Sequence, residues 1–145
     1  MCLRTNETGL LIAEDNILCY KFLDNWEDHG ILTSPYRGEK YLINEPNREV
    51  ELDPQEDVFL DDSKPYTFYH QGYHSYNMKT FNYRKLLQHH YRQLYLCSIP
   101  KGSKYQYGLE GDIVSSNITI LKEIKVDLSF KIKNFIQCLL RLKVI

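Results

Sequence analysis

The chain reads NILCYKFL at residues 16–23, and this stretch decides the fold. In an extended conformation Ile17, Cys19 and Lys21 would lie on one side, and apolar or aromatic residues would fill the other side. A strand that is largely apolar on both sides is usually covered on both faces of its sheet. The sequence therefore predicts a central β-strand here, with further strands on either side of it.

Several other segments are also typical of β-structure. The clearest is residues 94–99, which lead through Pro100 and Gly102 into the tyrosine-rich residues 104–108. This order predicts a hairpin, with a strand, a tight turn and a returning strand. An acidic stretch at residues 53–64 is predicted to be a surface loop. Further strands are predicted at residues 31–36, 41–43, 48–52, 66–75, 112–114 and 117–124.

Two segments have apolar residues at helical spacing. Residues 77–92 are predicted to form a helix with Asn77 as its N-cap. A second, basic helix is predicted at residues 130–142, and we expect it to dock on the sheet by its apolar side. The alternative is that this helix lies on an anionic membrane or binds a partner. Its apolar residues follow the i, i+3, i+4, i+7, i+8 pattern: Ile132, Phe135, Ile136, Leu139 and Leu140.

These elements predict an α+β fold class. We expect a single domain with a twisted, mostly antiparallel sheet, one central helix and a C-terminal amphipathic helix. Residues 1–124 would form the domain, and residues 125–145 the basic helix docked on it. A chain of 145 residues suits one domain, and it can bury about two-thirds of its unfolded surface without a disulfide or a metal.

The composition is uneven in two respects. The 12 Tyr and 6 Phe suit half-buried strands, and they also suit a recognition surface. Residues 1–62 carry a net charge of −10 and residues 63–145 carry +9, although the whole chain has −1. The two halves would balance each other within one domain, or form a basic partner-binding face, or associate head to tail in a homo-oligomer.

The cysteines and the N-terminus indicate a reducing compartment. Cys2, Cys19, Cys97 and Cys138 are far apart, so the sequence contains no C-x-x-C pair of the kind found in zinc knuckles and thioredoxin-like proteins. Cys19 and Cys97 lie in apolar strands and are expected to be buried free thiols. With no apolar signal region and no apolar run of about 20 residues, we expect a cytoplasmic location in a bacterial or phage-infected cell.

Residues 72–75, Gly-Tyr-His-Ser, form the first candidate site. Gly72 would allow a ligand to approach closely, with Tyr73 beside it, while His74 would serve as a general base or polar anchor and Ser75 as a hydroxyl. The alternative is a structural histidine at a strand end, bonded to the backbone. His70, His74, His89 and His90 lack metal-ligand spacing, so neither a metal nor a cofactor is expected.

Residues 101–104, Lys-Gly-Ser-Lys, form the second candidate. They lack the full phosphate-loop pattern, but Lys101, Ser103 and Lys104 would face an anionic ligand at a turn. Basic residues among tyrosines also suit single-stranded nucleic acid. A pI near 6.5 argues against a nucleic-acid partner. A hairpin turn flanked by half-buried tyrosines is the alternative.

In motif order, residues 1–124 resemble a group of small uncharacterised domains of bacteriophages and gut Bacteroides-like bacteria. The similar segments are residues 17–21, 34–36, 72–75, 97–103, 105–108 and 115–120. Those domains often carry Gly-Phe-His where this chain has Gly-Tyr-His at residues 72–74. The resemblance implies a phage or mobile-element origin and implies no particular reaction.

A looser similarity is to ADP-ribosyltransferase-like domains, which combine a histidine or arginine strand with later hydroxyl and glutamate positions. By that similarity His74, Tyr105 and Glu123 would fill the catalytic roles. Because the chain lacks a complete catalytic motif, we expect a non-enzymatic binding or accessory protein with a protein or small-molecule partner. The alternatives are a small transferase or hydrolase centred on His74, and membrane contact through residues 130–145.

Overall fold

The computed structural model describes residues 3–7, 9–26, 31–33, 40–57, 66–89 and 92–143. The helices are α1 (Tyr83–Gln88) and α2 (Leu128–Lys143). In chain order the strands are β1 (Leu3–Thr5), β2 (Leu11–Ile12), β3 (Ile17–Trp26), β4 (Ile31–Thr33), β5 (Lys40–Tyr41), β6 (Pro54–Asp57), β7 (Tyr66–Tyr69), β8 (Tyr73–Asn77), β9 (Gln93–Ile99), β10 (Lys104–Tyr107), β11 (Asp112–Ser115) and β12 (Thr119–Ile124).

Strand β3 lies inside the larger sheet, as residues 16–23 predict. It pairs with β9 along one edge, and along the other edge first with β8 and then with β4. The strand order is β12-β9-β3-β8-β11-β10-β2, with β5 continuing from β4, and all of these neighbours are antiparallel. A smaller antiparallel sheet has the order β1-β7-β6. The predicted α+β class with a mostly antiparallel sheet is therefore confirmed.

Apolar side chains cover both faces of the larger sheet. Strand β3 places Cys19 and Leu23 in one buried cluster and Phe22 in another, and successive strand side chains point to opposite faces. The cluster around Phe22 includes residues of both helices, so both helices pack on that face of the sheet. A third cluster, which contains Leu3, Tyr69 and Val114, joins the smaller sheet to β11.

Some elements differ from the sequence-based expectations because long-range pairing overrides local pattern. Residues 73–77 form a strand between β3 and β11, so α1 begins later than predicted, with Asn82 as its N-cap. The Oδ1 atom of Asn82 accepts a hydrogen bond from the Lys85 amide at 3.2 Å. Part of the acidic stretch forms edge strand β6, and residues 58–64 lie outside the described residues, as do residues 34–36.

Helix α2 is held at its N-terminus by Asp127, whose Oδ1 atom accepts a hydrogen bond from the Phe130 amide at 2.9 Å. Such an N-cap satisfies an amide that lacks a partner within the helix. Asn134 Nδ2 donates to the Phe81 carbonyl at 3.3 Å, which attaches α2 to the segment before α1. Within the described part of the chain, neither helix is long and apolar enough to span a bilayer.

Candidate functional site

His74 lies in the interior of the larger sheet. It is 8% exposed and stands opposite Val114 of β11, and its carbonyl oxygen accepts a hydrogen bond from Lys21 Nζ. Lys21 is itself buried on β3, with Nζ 5.6 Å from the centre of the Tyr41 ring. These contacts involve the His74 backbone and place the residue within the packing of the sheet, while the role of its imidazole stays a prediction.

The other predicted catalytic residues are distributed along the strand order. Ser75 is fully buried next to His74 in β8. Tyr105 lies on β10, two strands from β8, and stands opposite Ser115. Glu123 is exposed on the edge strand β12, three strands from β8 in the other direction. The sheet pairing therefore keeps Tyr105 and Glu123 on separate strands, on either side of His74.

Gly72 and Tyr73 make internal contacts. Gly72 has φ +110°, and a Cβ atom there would overlap Leu52 Cδ2 and come within 2.7 Å of Val114 Cγ2. Glycine is thus required by both conformation and space. The Tyr73 hydroxyl donates a hydrogen bond to the Arg48 carbonyl at 2.7 Å. Both residues thus take part in internal packing, and their predicted role in ligand binding stays a prediction.

The turn at residues 101–104 is held by hydrogen bonds that its backbone amides donate. The Gly102 amide donates to the Ala13 carbonyl at 2.8 Å, and the Lys101 amide donates to Asn16 Oδ1 at 2.9 Å. Ser103 is buried, whereas Lys101 and Lys104 are exposed. The turn thus leads from β9 into β10, lies against residues 13–16 and leaves two lysines at the surface. The predicted hairpin is wrong, because β9 pairs with β3 and β12 whereas β10 pairs with β11 and β2, so the two strands are not neighbours in the sheet.

A polar cleft lies where the smaller sheet meets the β10–β11 turn. It has a volume of about 230 Å³ and is lined by Arg4, Phe68, Glu110 and Asp112. Arg4 and Phe68 are register partners on β1 and β7, and the Leu109 amide donates to the Arg4 carbonyl at 2.9 Å. The cleft thus brings together residues that are distant in sequence. The one local signal that the sequence offers is Asp112, which directly precedes the apolar residues 113–114.

Asp112 is the chemically distinctive group of this cleft. It is 7% exposed, and among the described residues its Oδ1 atom has no hydrogen-bond partner. Burial raises the pKa of Asp112, and the neighbouring Glu110 carboxylate raises it further, while backbone hydrogen bonds and Lys85 act in the opposite direction. A Cβ atom on Gly108 would overlap this carboxylate, so glycine makes room for it.

The register also relates Asp112 to His74. Asp112 stands opposite Tyr76, and Val114 stands opposite His74, so Asp112 and His74 are diagonal neighbours on the same face of the sheet. Diagonal residues are about 7–8 Å apart, within reach of long side chains or of one bridging molecule. Of the predicted site residues on the described strands, His74 is therefore the one placed diagonally to a residue that lines the cleft.

Other reactive side chains have packing roles. Cys19 and Cys97 stand opposite each other on β3 and β9, and burial raises the pKa of Cys19 to about 11. Such thiols are poor nucleophiles. His89 stacks on Phe22 at 4.6 Å between ring centroids, and burial lowers its pKa. Across the described ranges, no group of three or more His, Cys, Asp or Glu side chains is placed to hold a metal ion.

Helix α2 has the reverse of the expected orientation. Asn134 is 6% exposed, and Phe130 and Cys138, one turn before and after it, are half-buried. The opposite side, which we call the outer apolar face, consists of large side chains that are 44–72% exposed: Leu128, Ile132, Phe135, Ile136, Leu139 and Leu140. The helix thus packs by its narrow mixed side and turns its main apolar stripe to solvent.

Exposed lysines border the outer apolar face. At 100° per residue, Lys131 lies just beyond Phe135 on one side of the face, and Lys133 lies just beyond Leu140 on the other. Leu87 of α1 is also exposed, and it lines a cavity of about 130 Å³ together with Lys131. The exposed apolar surface therefore extends from α2 towards α1 and is flanked by positive charge.

Comparisons of the chain with protein-family models, with curated proteins and with solved structures found no match.

Proposed function

We propose that the chain is a non-enzymatic binding or accessory protein that acts through the outer apolar face of α2. In line with the sequence resemblance, we also propose a phage or mobile-element origin and a cytoplasmic location. The observation that carries the binding function is the exposure of six large apolar side chains on one side of a single helix. Contiguous apolar surface of this kind is typical of an interaction site.

Energetic reasoning supports an interaction role for this face. Burying a large apolar side chain completely contributes roughly 1.5–3 kcal/mol, so covering the exposed half of one contributes about 1 kcal/mol. The intramolecular packing of α2 uses Asn134, Phe130 and one edge of the Phe135 ring, which meets the Tyr83 ring at 6.2 Å between centroids, and leaves most of that free energy unused. A partner that covered the outer apolar face would gain this free energy on binding. The exposed position of the face therefore favours an interaction role.

The test is to change the face without changing the fold. We expect the triple variant Ile132→Gln/Ile136→Gln/Leu139→Gln to keep the wild-type melting temperature, because these side chains are half-exposed. When lysates of bacteria that express the protein are separated on a density gradient, wild type should sediment with a larger cellular particle. The variant should sediment as free protein. Identical gradients for the two proteins would contradict the proposal.

A matched variant controls for nonspecific association through other exposed apolar residues. Leu11→Gln/Ile12→Gln changes two exposed apolar residues on the edge strand β2. It should sediment like wild type. If it were released to the same extent as the α2 variant, general surface hydrophobicity would explain the association, and the face on α2 would lose its assigned role.

A second candidate function is a small transferase or hydrolase in which His74 works with Asp112. The observation in its favour is the polar cleft, with a buried carboxyl group whose pKa is raised and a histidine diagonal to it. A panel of p-nitrophenyl esters, phosphates and glycosides tests it. Turnover that is lost in both Asp112→Asn and His74→Gln, with folding intact, would favour it. Wild-type rates equal to the buffer rate across the panel would count against it.

A further inference from the structure

We infer that the outer apolar face of α2 docks on the surface of an anionic lipid bilayer. This inference rests on the proposed function and names its partner. Three features of the helix lead to it: its shape, the charge along its borders, and the charge that a second copy of the chain would bring.

The shape suits a helix that lies in the plane of an interface. Helix α2 has 16 residues, or about 24 Å of length, and its exposed apolar residues run from Leu128 to Leu140. The other side is fixed to the protein through Asn134 and the Phe130 region. Interfacial helices insert their apolar side about 5–10 Å into the boundary between headgroups and acyl chains, which is the depth of one layer of side chains.

The charge suits an anionic surface. Residues 125–143 contain five lysines and arginines and one acid, Asp127. Lys131 and Lys133 lie on opposite borders of the outer apolar face, where their alkyl stems can follow the apolar surface and their ammonium groups can reach lipid phosphates. Lys79 is exposed beside Leu140, across a surface hollow of about 390 Å³. Each basic residue near an anionic membrane contributes about fivefold in affinity.

The same charge disfavours a second copy as the occupant. A symmetric dimer through this face would bring the two basic helices together, and Lys131 and Lys133 of one copy would meet the equally basic α2 of the other. Like charges placed across an interface weaken it. An acidic protein partner would satisfy the charge, and the experiment below separates that occupant from lipid.

The experiment is vesicle flotation of the purified full chain. We expect the protein to float with mixed phosphatidylcholine–phosphatidylglycerol vesicles and to remain behind with pure phosphatidylcholine. Raising the salt from about 0.1 M to about 1 M shortens the Debye length from about 10 Å to about 3 Å, so it should release most of the protein. Ile132→Gln/Ile136→Gln/Leu139→Gln should abolish flotation at an unchanged melting temperature.

A charge-matched pair of variants tests the orientation. Lys131→Gln/Lys133→Gln should weaken binding roughly 25-fold, the product of two fivefold effects. Lys101→Gln/Lys104→Gln removes the same charge at the turn after β9, at the opposite end of the strand from the Leu94–Ile124 pair near α2. This control should bind like wild type. Equal weakening by both pairs would overturn the assignment to α2.

Two further outcomes separate this inference from the proposed function. One outcome is that the triple variant is released from the larger cellular particle on the density gradient, but wild type does not float with anionic vesicles. In that case the lipid inference fails and a protein partner is the occupant. If sedimentation of the purified wild type shows a dimer that the triple variant loses, a second copy occupies the face. If the triple variant changes nothing in cells or with vesicles, both statements fail.

Discussion

The centre of the sheet and the outer side of α2 use apolar residues in opposite ways. Around β3, alternating residues are buried on both faces, and even the polar His74 and Lys21 lie inside the packing. On α2, a polar residue, Asn134, is buried, and the main apolar stripe is exposed. The first region therefore has its partners within the chain. The second has apolar surface available to another molecule, and that difference assigns stability to the sheet and binding to the helix.

The largest expected contrast comes from truncating one apolar residue in each region. Leu23→Ala removes a fully buried side chain from the cluster that contains Cys19 and should lower the free energy of unfolding by about 2–5 kcal/mol. Ile136→Ala shortens a half-exposed side chain and should cost less than about 1 kcal/mol. Urea unfolding of both variants measures the two values. Equal costs would mean that Ile136 is packed like a core residue.

Two glycines sharpen the description of the predicted site at residues 72–75. Gly72→Ala combines φ +110° with overlap against Leu52, so it should destabilise the protein by about 3 kcal/mol. Gly102→Ala has φ +89° but open space, and should cost only about 1–2 kcal/mol. Thermal unfolding of the two variants gives the comparison. A mild effect at Gly72, equal to that at Gly102, would contradict its structural role.

The smallest expected effect concerns the Asp112 carboxyl group in the cleft. Its pKa is raised above the ordinary value of 3.8 on folding, so the folded state binds the proton more tightly than the unfolded state. The stability that this provides is present at pH below 3.8 and is lost as the pH rises through the pKa of the folded protein. Asp112→Asn should therefore be more stable than wild type at neutral pH, and the difference should shrink on acidification.

A matched carboxyl group controls this measurement. Glu110 lines the same cleft but is exposed, so Glu110→Gln should change the melting temperature at neutral pH less than Asp112→Asn does. Melting temperatures across the acidic to neutral range supply both comparisons. An Asp112→Asn variant that is less stable than wild type at neutral pH would show that the carboxylate has a stabilising partner in the folded protein.

Local pattern was sufficient for the strands that carry most of the sheet. The alternation at residues 16–23 and the strands at residues 94–99 and 104–108 were predicted because apolar residues and turn residues mark them directly. Their pairing as a hairpin was predicted wrongly, because β9 and β10 each pair with strands that lie elsewhere in the chain. The short strands β1 and β2 were missed, and β6 was taken for a loop, because they are brief and their pairing partners lie far along the chain. The early start predicted for α1 failed for a related reason, since β8 already uses residues 73–77.

The candidate site was harder to predict than the fold. The cleft joins Arg4 to Asp112, and such a meeting depends on how the smaller sheet packs against β11. The spacing of apolar residues located the stripe on α2 correctly, but spacing cannot state whether the stripe faces the protein or the solvent. Two contacts determine which side of α2 faces the protein. Asn134 donates a hydrogen bond to the Phe81 carbonyl, and the Phe130 ring packs against the Tyr20 ring.

The most direct test of the central claim is the accessibility of single positions on α2. In a Cys2→Ser/Cys138→Ser background, which keeps only the buried native thiols Cys19 and Cys97, Ile136→Cys and Asn134→Cys are labelled with a maleimide dye in the folded protein, with and without anionic vesicles. We predict fast labelling at position 136 and slow labelling at 134, with position 136 protected when vesicles are present. Slow labelling at 136 and fast labelling at 134 would show that the apolar side of α2 faces the protein, and would contradict the account.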